Sequence, residues 1–448
     1  MSKVPEKNIS AVMEAFKEFR DKNFTEPEPE IDLKVFMDFM EPKFAEAGYR
    51  EKFDLSPAKT KDANILILTD FGVGDFMVST GAIREIRRIY PEAHITLVSY
   101  KKPFIFAEVC PYVDEVILYD RHHSKLTRMY ELVMKTAGKL LERRFDICFS
   151  FSIHAYVNFL MYMSGAKIRL TYIWQRNLNR AKTDAIRKSN LLVYSKLLAT
   201  HLVPYGDTRC HMADRFFLLP EETLHASISN RKLEAWYTFR DFSVALESLG
   251  NVSGSLYSLC MGGVWGRVHY PPEKYARLLE LIAEEDPSAR FVILGGGDKD
   301  LESAEVLKTA SPELYEKKVT NLVNKLTYRQ TAAVMGFCKM HIGNDTGTSH
   351  VAAGMNCPVL SPNCFAANFK MSNIDAPGRW APYAVPSVIV LPERALDECN
   401  SEPYGGHGCK IKEIPHCITQ IAPETLFRGF HLLIRRAAKK INKPLYIS

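Results

Sequence analysis

The sequence predicts an α/β protein in which two Rossmann-like domains face each other across a cleft, with a helical N-terminal extension before them. The chain has 448 residues, too many for one ordinary hydrophobic core, so two domains of roughly 200 residues are expected. An unbroken apolar run, typical of a buried parallel strand, starts at Ile65, and a further strand is predicted to start at Leu256. Each strand is followed by a glycine-containing turn and a helical stretch, which is the repeat of a parallel α/β sheet.

The composition, 46% hydrophobic and 25% charged, is that of a soluble globular protein. No apolar run reaches the ~18 residues needed to span a bilayer, and the N-terminus lacks the apolar stretch of a secretory signal. We therefore expect a cytoplasmic protein. The net charge of +6, without a block of like charges, does not favour nucleic acid. It is compatible with phosphorylated ligands or an anionic membrane face.

Residues 1–61 are expected to form the helical N-terminal extension. Apolar residues such as Phe16 recur there at near-helical spacing, and the alternating Glu and Pro residues at 26–30 must end that helix. A second helix is predicted from Ile31 to Phe44. Both helices are expected to pack on the main body or on another subunit.

Residues 62–250 are predicted to form the first Rossmann-like domain. Its first strand runs into a tight turn at 71–75, and a helix is expected from Asp75 to about Tyr90, closed by Pro91. The strands of this domain are predicted at 65–69, 94–99, 116–119 and 146–149.

A dinucleotide site in the first turn is an alternative to be weighed. Gly72 and Gly74 give the first part of the G-x-G-x-x-G pattern, but Met77 stands in the place of the third glycine. The second strand ends in Ser99 and Tyr100 instead of the acidic residue that would hold a ribose. A nicotinamide-dependent enzyme is therefore not expected.

Residues 251–425 are predicted to form the second Rossmann-like domain, after a Gly- and Ser-containing linker. Its first strand leads into a glycine turn at 261–264 and a helix with Pro272 at its start. The last segment, 426–448, is expected to be a helix that packs back on the first domain. Its Arg and Lys residues are either a solvated face or a peripheral contact with the inner membrane face. The other strands of this domain are predicted at 291–294, 340–342 and 357–360.

One stretch of the second domain has the pattern of an anion-binding site. After a strand that ends at Ile342, a polar turn leads into a helix of small residues, with Asp345 and Thr346 at the N-cap positions. The N–H groups and the positive end of such a helix attract phosphate, and His350 adds a donor. The alternative is that Asp345 and Ser349 only cap a buried helix.

Three segments together resemble the heptosyltransferases of glycosyltransferase family 9. They are the strand at 65–68 with the Val73-Gly74-Asp75 turn, the segment 291–297, and the Asp-Thr-Gly-x-Ser-His turn within 344–353. The resemblance covers roughly residues 63–440. It implies a GT-B fold, an inverting mechanism that requires no metal or other cofactor, and an ADP-heptose donor. The acceptor it implies is the inner core of lipopolysaccharide.

Asp75 is the expected catalytic residue. An inverting sugar transfer needs a carboxylate that takes the proton from the acceptor hydroxyl. Asp75 lies in the turn where the first strand meets its helix, and nearby Asp70 is the rival carboxylate. The alternative role of Asp75 is that of a helix cap.

The donor diphosphate is expected at the start of the helix that follows Thr346, where oriented N–H groups and His350 neutralise its charge. Asp345 would accept hydrogen bonds from sugar hydroxyls, and Gly262 with Gly263 would let the main chain approach phosphate closely. The predicted donor-binding residues are Gly262, Gly263, Arg267, Asp300, Asp345, Thr346, Gly347, Thr348, Ser349 and His350.

The chain departs from the family pattern in the turn after the first strand of the second domain. The family usually has a Lys before an aromatic-Pro pair, where this chain has Val268. Arg267 is expected to replace it as the phosphate cation, because its planar guanidinium suits bidentate contact. Asp300 is a candidate for the adenosine ribose, with a plain surface carboxylate as the alternative.

The acceptor, a glycolipid or a protein, is expected to bind the first domain. Arg84 and Arg169 are predicted to meet an acidic or phosphorylated acceptor, and His154 is predicted to face the cleft after a strand. The heptose epimer, the nucleotide base and the oligomeric state are left open.

Two further functions stay open. The extension and the cluster of Cys399, Cys409 and Cys417 are similar to autotransporter-type protein O-heptosyltransferases with a cysteine-bound iron. Cys364 or His407 is then the fourth ligand of iron or zinc, although the spacing matches no standard zinc pattern. The second alternative is a non-catalytic nucleotide-sugar-binding subunit, which the absence of the family's Lys at Val268 would favour.

Overall fold

The apolar runs form two separate parallel sheets in the computed structural model. The chain divides into a first unit, Met1–Gly72 with Ala82–Asp207 and Asp214–Ser229, and a second unit, Val73–Gly81 with Thr208–Ala213 and Asn230–Ser448. The structure describes residues 6–23, 33–55, 62–101, 103–119, 135–152, 154–174, 196–205, 211–224, 227–251, 253–263, 268–365, 377–394 and 416–448.

The first unit contains a six-stranded parallel sheet in the order β3-β2-β1-β4-β5-β6. The chain builds outward from β1 through β2 to β3 and then returns to place β4 on the other side of β1. The direction of winding therefore reverses between β1 and β4, and ligands of such sheets bind at the carboxyl ends of the strands at that point. The strands are β1 (Asn64–Leu68), β2 (His94–Tyr100), β3 (Glu115–Tyr119), β4 (Ile147–Ser150), β5 (Ile168–Trp174) and β6 (His201–Tyr205).

The described helices that begin before residue 230 include two from the N-terminal extension. The third begins at Val73, two residues before the predicted start, with Gly72 as its N-cap. Its opening residues, Val73–Gly81, belong to the second unit. The helices are α1 (Glu6–Asn23), α2 (Leu33–Glu46), α3 (Val73–Ile89), α4 (Phe104–Ala107), α5 (Ala155–Met163) and α6 (Met212–Leu224).

The N-terminal extension is built into the hydrophobic core of the first unit. The ring of Phe36 lies 4.9 Å from that of Phe159 in α5, and the ring of Phe16 lies 5.9 Å from it, centroid to centroid. The Arg50 guanidinium lies over the ring of Phe44 and donates to Glu41 at 2.7 Å. The extension thus packs on the main body of its own chain and braces α5.

The second unit contains a seven-stranded parallel sheet in the order β13-β12-β11-β10-β7-β8-β9. Here the winding reverses between β7 and β10. The strands are β7 (Ser255–Cys260), β8 (Ala289–Ile293), β9 (Val319–Asn321), β10 (Met340–Gly343), β11 (Val359–Pro362), β12 (Ser387–Val390) and β13 (Pro444–Ile447). The helices are α7 (Phe239–Leu249), α8 (Pro272–Glu285), α9 (Asp298–Ala310), α10 (Pro312–Lys318), α11 (Tyr328–Met335), α12 (Gly347–Gly354), α13 (Pro377–Trp380), α14 (His416–Thr419) and α15 (Pro423–Ala438).

The C-terminal segment differs from the prediction that it packs back on the first domain. Helix α15 contacts β11, β12 and α8, and it buries Leu426, Phe430 and Leu433 in the core of the second unit. The spacing of these residues puts them on one helix face, which covers the apolar face of the second sheet. The chain then continues into β13, which pairs with β12 and extends the sheet.

The boundary between the units also lies earlier than the predicted linker at 250. Helix α7 opens with a capping box between Thr238 and Asp241, and Asp241 forms an ion pair with Arg329 of α11 at 2.8 Å. These contacts join residues 230–250 to the second unit. Within the described ranges, no helix combines the length and the hydropathy that crossing a bilayer requires.

Candidate active site

The loops that follow β7 and β10 are tied together by the side chain of Asn344, which is fully buried. Its amide nitrogen donates to the main-chain oxygens of Met261 and Gly262. Its oxygen accepts from the Tyr270 N–H at 3.2 Å and from the Tyr275 hydroxyl at 2.8 Å. Asn344 therefore fixes the geometry of the point where the winding of the second sheet reverses. The sequence offered one signal for it, a polar residue directly after a short buried strand.

Helix α12 starts next to this point, and the side chain of its N-cap residue makes no hydrogen bond to the main chain of the first turn. Thr346 is the N-cap, but its hydroxyl pairs with that of Thr348 at 2.9 Å and makes no capping bond within the described residues. The Ser349 hydroxyl donates to the Asn344 carbonyl at 3.0 Å, and Asp345 accepts from the Asn363 amide at 2.9 Å. The positive end of the helix and its first N–H groups are thus suited to an anion.

His350 lies in α12 with its imidazole buried. Burial lowers its pKa to about 3, and nearby His211 adds to the effect, so the ring is neutral at pH 7. Its Nδ1 has no hydrogen-bond partner among the residues that the structure describes. A buried ring nitrogen left in this way is a natural contact for a polar ligand.

The start of α3 touches the start of α12 within the second unit. A Cβ added to Gly74 would lie 3.1 Å from the Gly347 Cα and 3.2 Å from the His350 Cδ2. Asp75 follows Gly74 in the first turn of α3 and is half-buried. Gly72 is the N-cap, so Asp75 occupies the third helical position, N3. The structure thus brings the predicted proton acceptor beside the predicted diphosphate site.

Two glycine loops enclose Asp300, which is predicted to bind ribose. A Cβ added to Gly262 would lie 1.8 Å from the Asp300 Oδ1, and one added to Gly295, whose φ is +154°, would lie 2.3 Å from the Oδ2. The Oδ2 also accepts from the Gly296 N–H at 2.7 Å. Burial raises the pKa of Asp300. Asp300 therefore shapes the glycine loops, and its contact with ribose stays a prediction.

The turn that departs from the family pattern is described in part. Arg267 lies outside the described residues, so its predicted role stays a prediction. Val268 is buried in the core of the second unit, and the His269 imidazole donates to the Gly263 carbonyl at 2.9 Å. A Cβ on Gly263 would lie 2.9 Å from the Thr346 Cγ2, so this loop packs tightly on the α12 turn.

The two arginines predicted to meet the acceptor are buried in the first unit. The Arg84 guanidinium pairs with Glu85 at 3.0 Å. Arg169 donates to the main-chain oxygens of Leu198 and Ala166, both at 2.8 Å, and burial lowers its pKa to about 10. This placement differs from the expected acceptor contact, because both side chains are already engaged in the folded unit. Charge in the sequence could not distinguish the two situations.

His154 lies after β4 and contacts a buried carboxylate that follows β1. Its Nδ1 pairs with the Asp70 Oδ2, which also accepts from the Tyr156 hydroxyl. Asp70 is 1% exposed, whereas the His154 side chain is 45% exposed. Asp70 and His154 thus meet at the point where the winding of the first sheet reverses.

Of the three cysteines in the predicted cluster, one lies within the described residues. Cys417 is buried in α14, as is Cys364 after β11, while Cys399, Cys409 and His407 lie outside the described residues. Within the described part of the chain, no group of three metal-ligating side chains is found. Iron or zinc at this cluster stays a prediction.

Comparisons with known proteins agree with the two-sheet architecture. The family described as glycosyltransferase family 9 (heptosyltransferase) matches residues 133–362, a little more than half of the chain. Lipooligosaccharide heptosyltransferase 2 of Haemophilus influenzae is 24% identical over 312 residues, which cover 66% of this chain and 82% of that protein.

Solved structures share the fold. A glycosyltransferase family 9 protein from Veillonella parvula matches with a TM-score of 0.64 and 18% identity, covering 85% of this chain and 100% of that one. The ADP-heptose lipopolysaccharide heptosyltransferase II of E. coli matches with a TM-score of 0.60 and 17% identity, covering 83% and 99%. The predicted α/β, GT-B fold is confirmed. The chain belongs to glycosyltransferase family 9, the heptosyltransferase family, and is a glycosyltransferase.

Proposed function

We propose that this glycosyltransferase transfers heptose, with inversion, from ADP-heptose to a hydroxyl of the lipopolysaccharide core. The observation that carries the proposal is the contact between Gly74 and Gly347, which sets Asp75 beside the start of α12. A proton acceptor and an anion-binding helix end are the two groups that such a transfer needs at one place. The names of the relatives, lipooligosaccharide heptosyltransferase 2 and ADP-heptose heptosyltransferase II, supply the sugar, the nucleotide and the acceptor class.

The donor side of the reaction uses main-chain groups. The diphosphate accepts hydrogen bonds from the first N–H groups of α12, and the helix dipole opposes the negative charge that grows on the leaving ADP. Neutral His350 adds an N–H donor that carries no charge of its own. Asp300 fills the Cβ side of Gly262 and Thr346 fills that of Gly263, so these glycines contact the diphosphate through their main-chain N–H groups.

The acceptor side uses Asp75. Its carboxylate takes the proton of the attacking hydroxyl while the new bond forms to the anomeric carbon and the bond to ADP breaks on the opposite face. The reaction so written requires no metal. The cytoplasmic location and the peripheral contact with the inner membrane face, both expected from the sequence, belong to this proposal.

Transfer of labelled heptose tests the proposal. The purified chain is incubated with ADP-heptose carrying a radioactive sugar and with core lipopolysaccharide that lacks heptose, and with UDP- and GDP-sugars as donor controls. We expect label in the lipid fraction from ADP-heptose and none from the controls. Label in a protein fraction would contradict the proposed acceptor, and release of no ADP with any acceptor would contradict the proposed reaction.

A further inference from the structure

We propose that Asp70, His154 and Tyr156 form an acceptor-binding site in the first unit, where Nε2 of His154 accepts a hydrogen bond from a sugar hydroxyl. The inference rests on the proposed function, since it takes the acceptor to be a sugar chain. It assigns the atom that binds the acceptor, and it makes Asp70 and Tyr156 positioning residues that act through the imidazole.

The position of the cluster is the first support. Asp70 follows β1 and His154 follows β4, and these neighbouring strands flank the point where the winding of the first sheet reverses. Loops at the carboxyl ends of strands at such a point are where open α/β sheets bind ligands. The cluster therefore lies where the first unit is expected to bind its own ligand.

The hydrogen bonds of Asp70 fix its charge. Burial raises the pKa of this carboxyl, but hydrogen bonds from His154, Tyr156 and Ser152 outweigh burial, so the pKa lies below its ordinary value. The carboxylate is therefore ionised at neutral pH. A buried charge is costly unless it is paired in this way, so the cluster is a built feature and not a chance contact.

The charge of Asp70 then fixes the tautomer of His154. An ionised carboxylate only accepts hydrogen bonds, so the neutral form of the imidazole carries its proton on Nδ1, the nitrogen that faces Asp70. Nε2 is left with a lone pair. The ring extends from the buried carboxylate to the surface, and the Tyr156 ring stacks beside it at 5.8 Å and 14°.

This chemistry favours a hydroxyl over a phosphate. A lone pair next to a buried negative charge attracts an O–H donor and repels an anion. The cations that would have recognised an acidic acceptor, Arg84 and Arg169, are engaged within the unit. Sugar hydroxyls are the donors that a core oligosaccharide supplies.

Initial rates with the variant His154→Phe test the site, because phenylalanine keeps a ring and removes both nitrogens. His201→Phe is the matched control, since His201 opens β6 at the amino end of the same sheet and is exposed. At saturating ADP-heptose, we expect the KM for the acceptor to rise at least about tenfold in His154→Phe, the loss of roughly one hydrogen bond. The donor Kd and the acceptor-free hydrolysis of ADP-heptose should change less than twofold. His154→Gln, whose side-chain oxygen can accept near the Nε2 position, should recover part of the affinity.

The role of Asp70 is tested by non-additivity. If Asp70 acts through the imidazole, Asp70→Asn raises the acceptor KM, and the double variant Asp70→Asn with His154→Phe is no worse than His154→Phe alone. Additive effects would show that Asp70 is merely structural and would overturn its assigned role. Unchanged donor hydrolysis shows that each variant is folded. Tyr156→Phe removes one hydrogen bond to Asp70 and should raise the acceptor KM by less than Asp70→Asn does. Wild-type enzyme that transfers no heptose overturns the proposed function, whereas transfer by wild type with an unchanged acceptor KM in His154→Phe overturns this inference alone.

Discussion

At the edge of the second sheet, between β7 and β10, the groups suited to a ligand are the first N–H groups of α12. At the edge of the first sheet, between β1 and β4, they are the side chains of His154 and Asp70. Both edges are reversals of winding in parallel sheets, so topology alone does not explain the difference. The ligands proposed for the two edges account for the difference. Many amide N–H groups hold a diphosphate well, whereas one oriented acceptor holds a sugar hydroxyl.

The two edges are also supported differently. Asn344 links both loops of the second edge with hydrogen bonds. The first edge relies on packing, since α1 and α2 press on α5, the helix that His154 caps. Substitutions in the two supports should therefore weaken the binding of different substrates.

Phe36→Ala should give the largest loss of stability. Phe36 is fully buried and packs against Phe159 of α5, so removing its ring should lower the free energy of unfolding by about 3–5 kcal/mol. The neighbouring substitution Val35→Ala is the control, because Val35 is 52% exposed and should cost no more than about 0.5 kcal/mol. Urea unfolding measures both. Equal losses would show that the extension does not brace the first edge.

Asn344→Ala should lower the free energy of unfolding by about 2–4 kcal/mol, because it leaves the Tyr275 hydroxyl and two buried main-chain oxygens without their partner. It should also weaken ADP binding, measured by calorimetry, since the glycine loop loses its tether to the α12 turn. Asn321→Ala is the matched control in β9 of the same sheet, where Asn321 bonds the Tyr315 hydroxyl. An ADP affinity that falls equally in both variants would contradict the role of Asn344.

Gly74→Ala should weaken donor binding by about 1–3 kcal/mol, because the added methyl group must push α3 away from Gly347 and His350. Gly138→Ala is the control, since a Cβ there meets nothing within 4 Å. The Kd for ADP-heptose, measured by calorimetry, separates them. Wild-type affinity in Gly74→Ala would argue against a tight contact between the two helix starts.

The two edges should also respond to acid at different pH. The folded-state pKa of His350 is about 3, well below the ordinary histidine value of about 6.5, so the unfolded chain takes up the proton first. The stability from the neutral ring is complete above pH 6.5 and is lost as the pH falls, by about 2 kcal/mol at pH 5. The fall in unfolding free energy from pH 7 to pH 5 should therefore be about 2 kcal/mol smaller in His350→Gln.

The contribution of Asp70 is lost in the same direction but at lower pH. Its folded-state pKa is lowered, so its contribution is present above the ordinary carboxyl value, about 4, and is lost only below it. In Asp70→Asn, the fall in unfolding free energy from pH 7 to pH 5 should equal that of the wild type. A fall in His350→Gln as large as that of the wild type would contradict the charge state assigned to His350. A smaller fall in Asp70→Asn than in the wild type would contradict the charge state assigned to Asp70.

Local patterns in the sequence predicted much of this. The apolar runs located both sheets, and the polar turn before small residues located the start of α12. What the sequence did not reveal depends on distant partners. Asn344 gains its role from Tyr275, 69 residues away, and Arg169 donates to the main-chain oxygen of Leu198, which is also distant in the chain. Strand β13 was missed because a short terminal strand forms only by pairing with the edge of a sheet, here β12.

In the proposed reaction, Asp75 takes the acceptor proton beside a diphosphate held by α12. The most direct test is the turnover of Asp75→Asn with ADP-heptose and the core acceptor, with Asp298→Asn as a control because Asp298 lies in the first turn of α9. We predict that kcat falls about 10²–10⁴-fold in Asp75→Asn while the donor Kd stays within a few-fold, and that Asp298→Asn matches the wild type. Wild-type turnover in Asp75→Asn would contradict the claim.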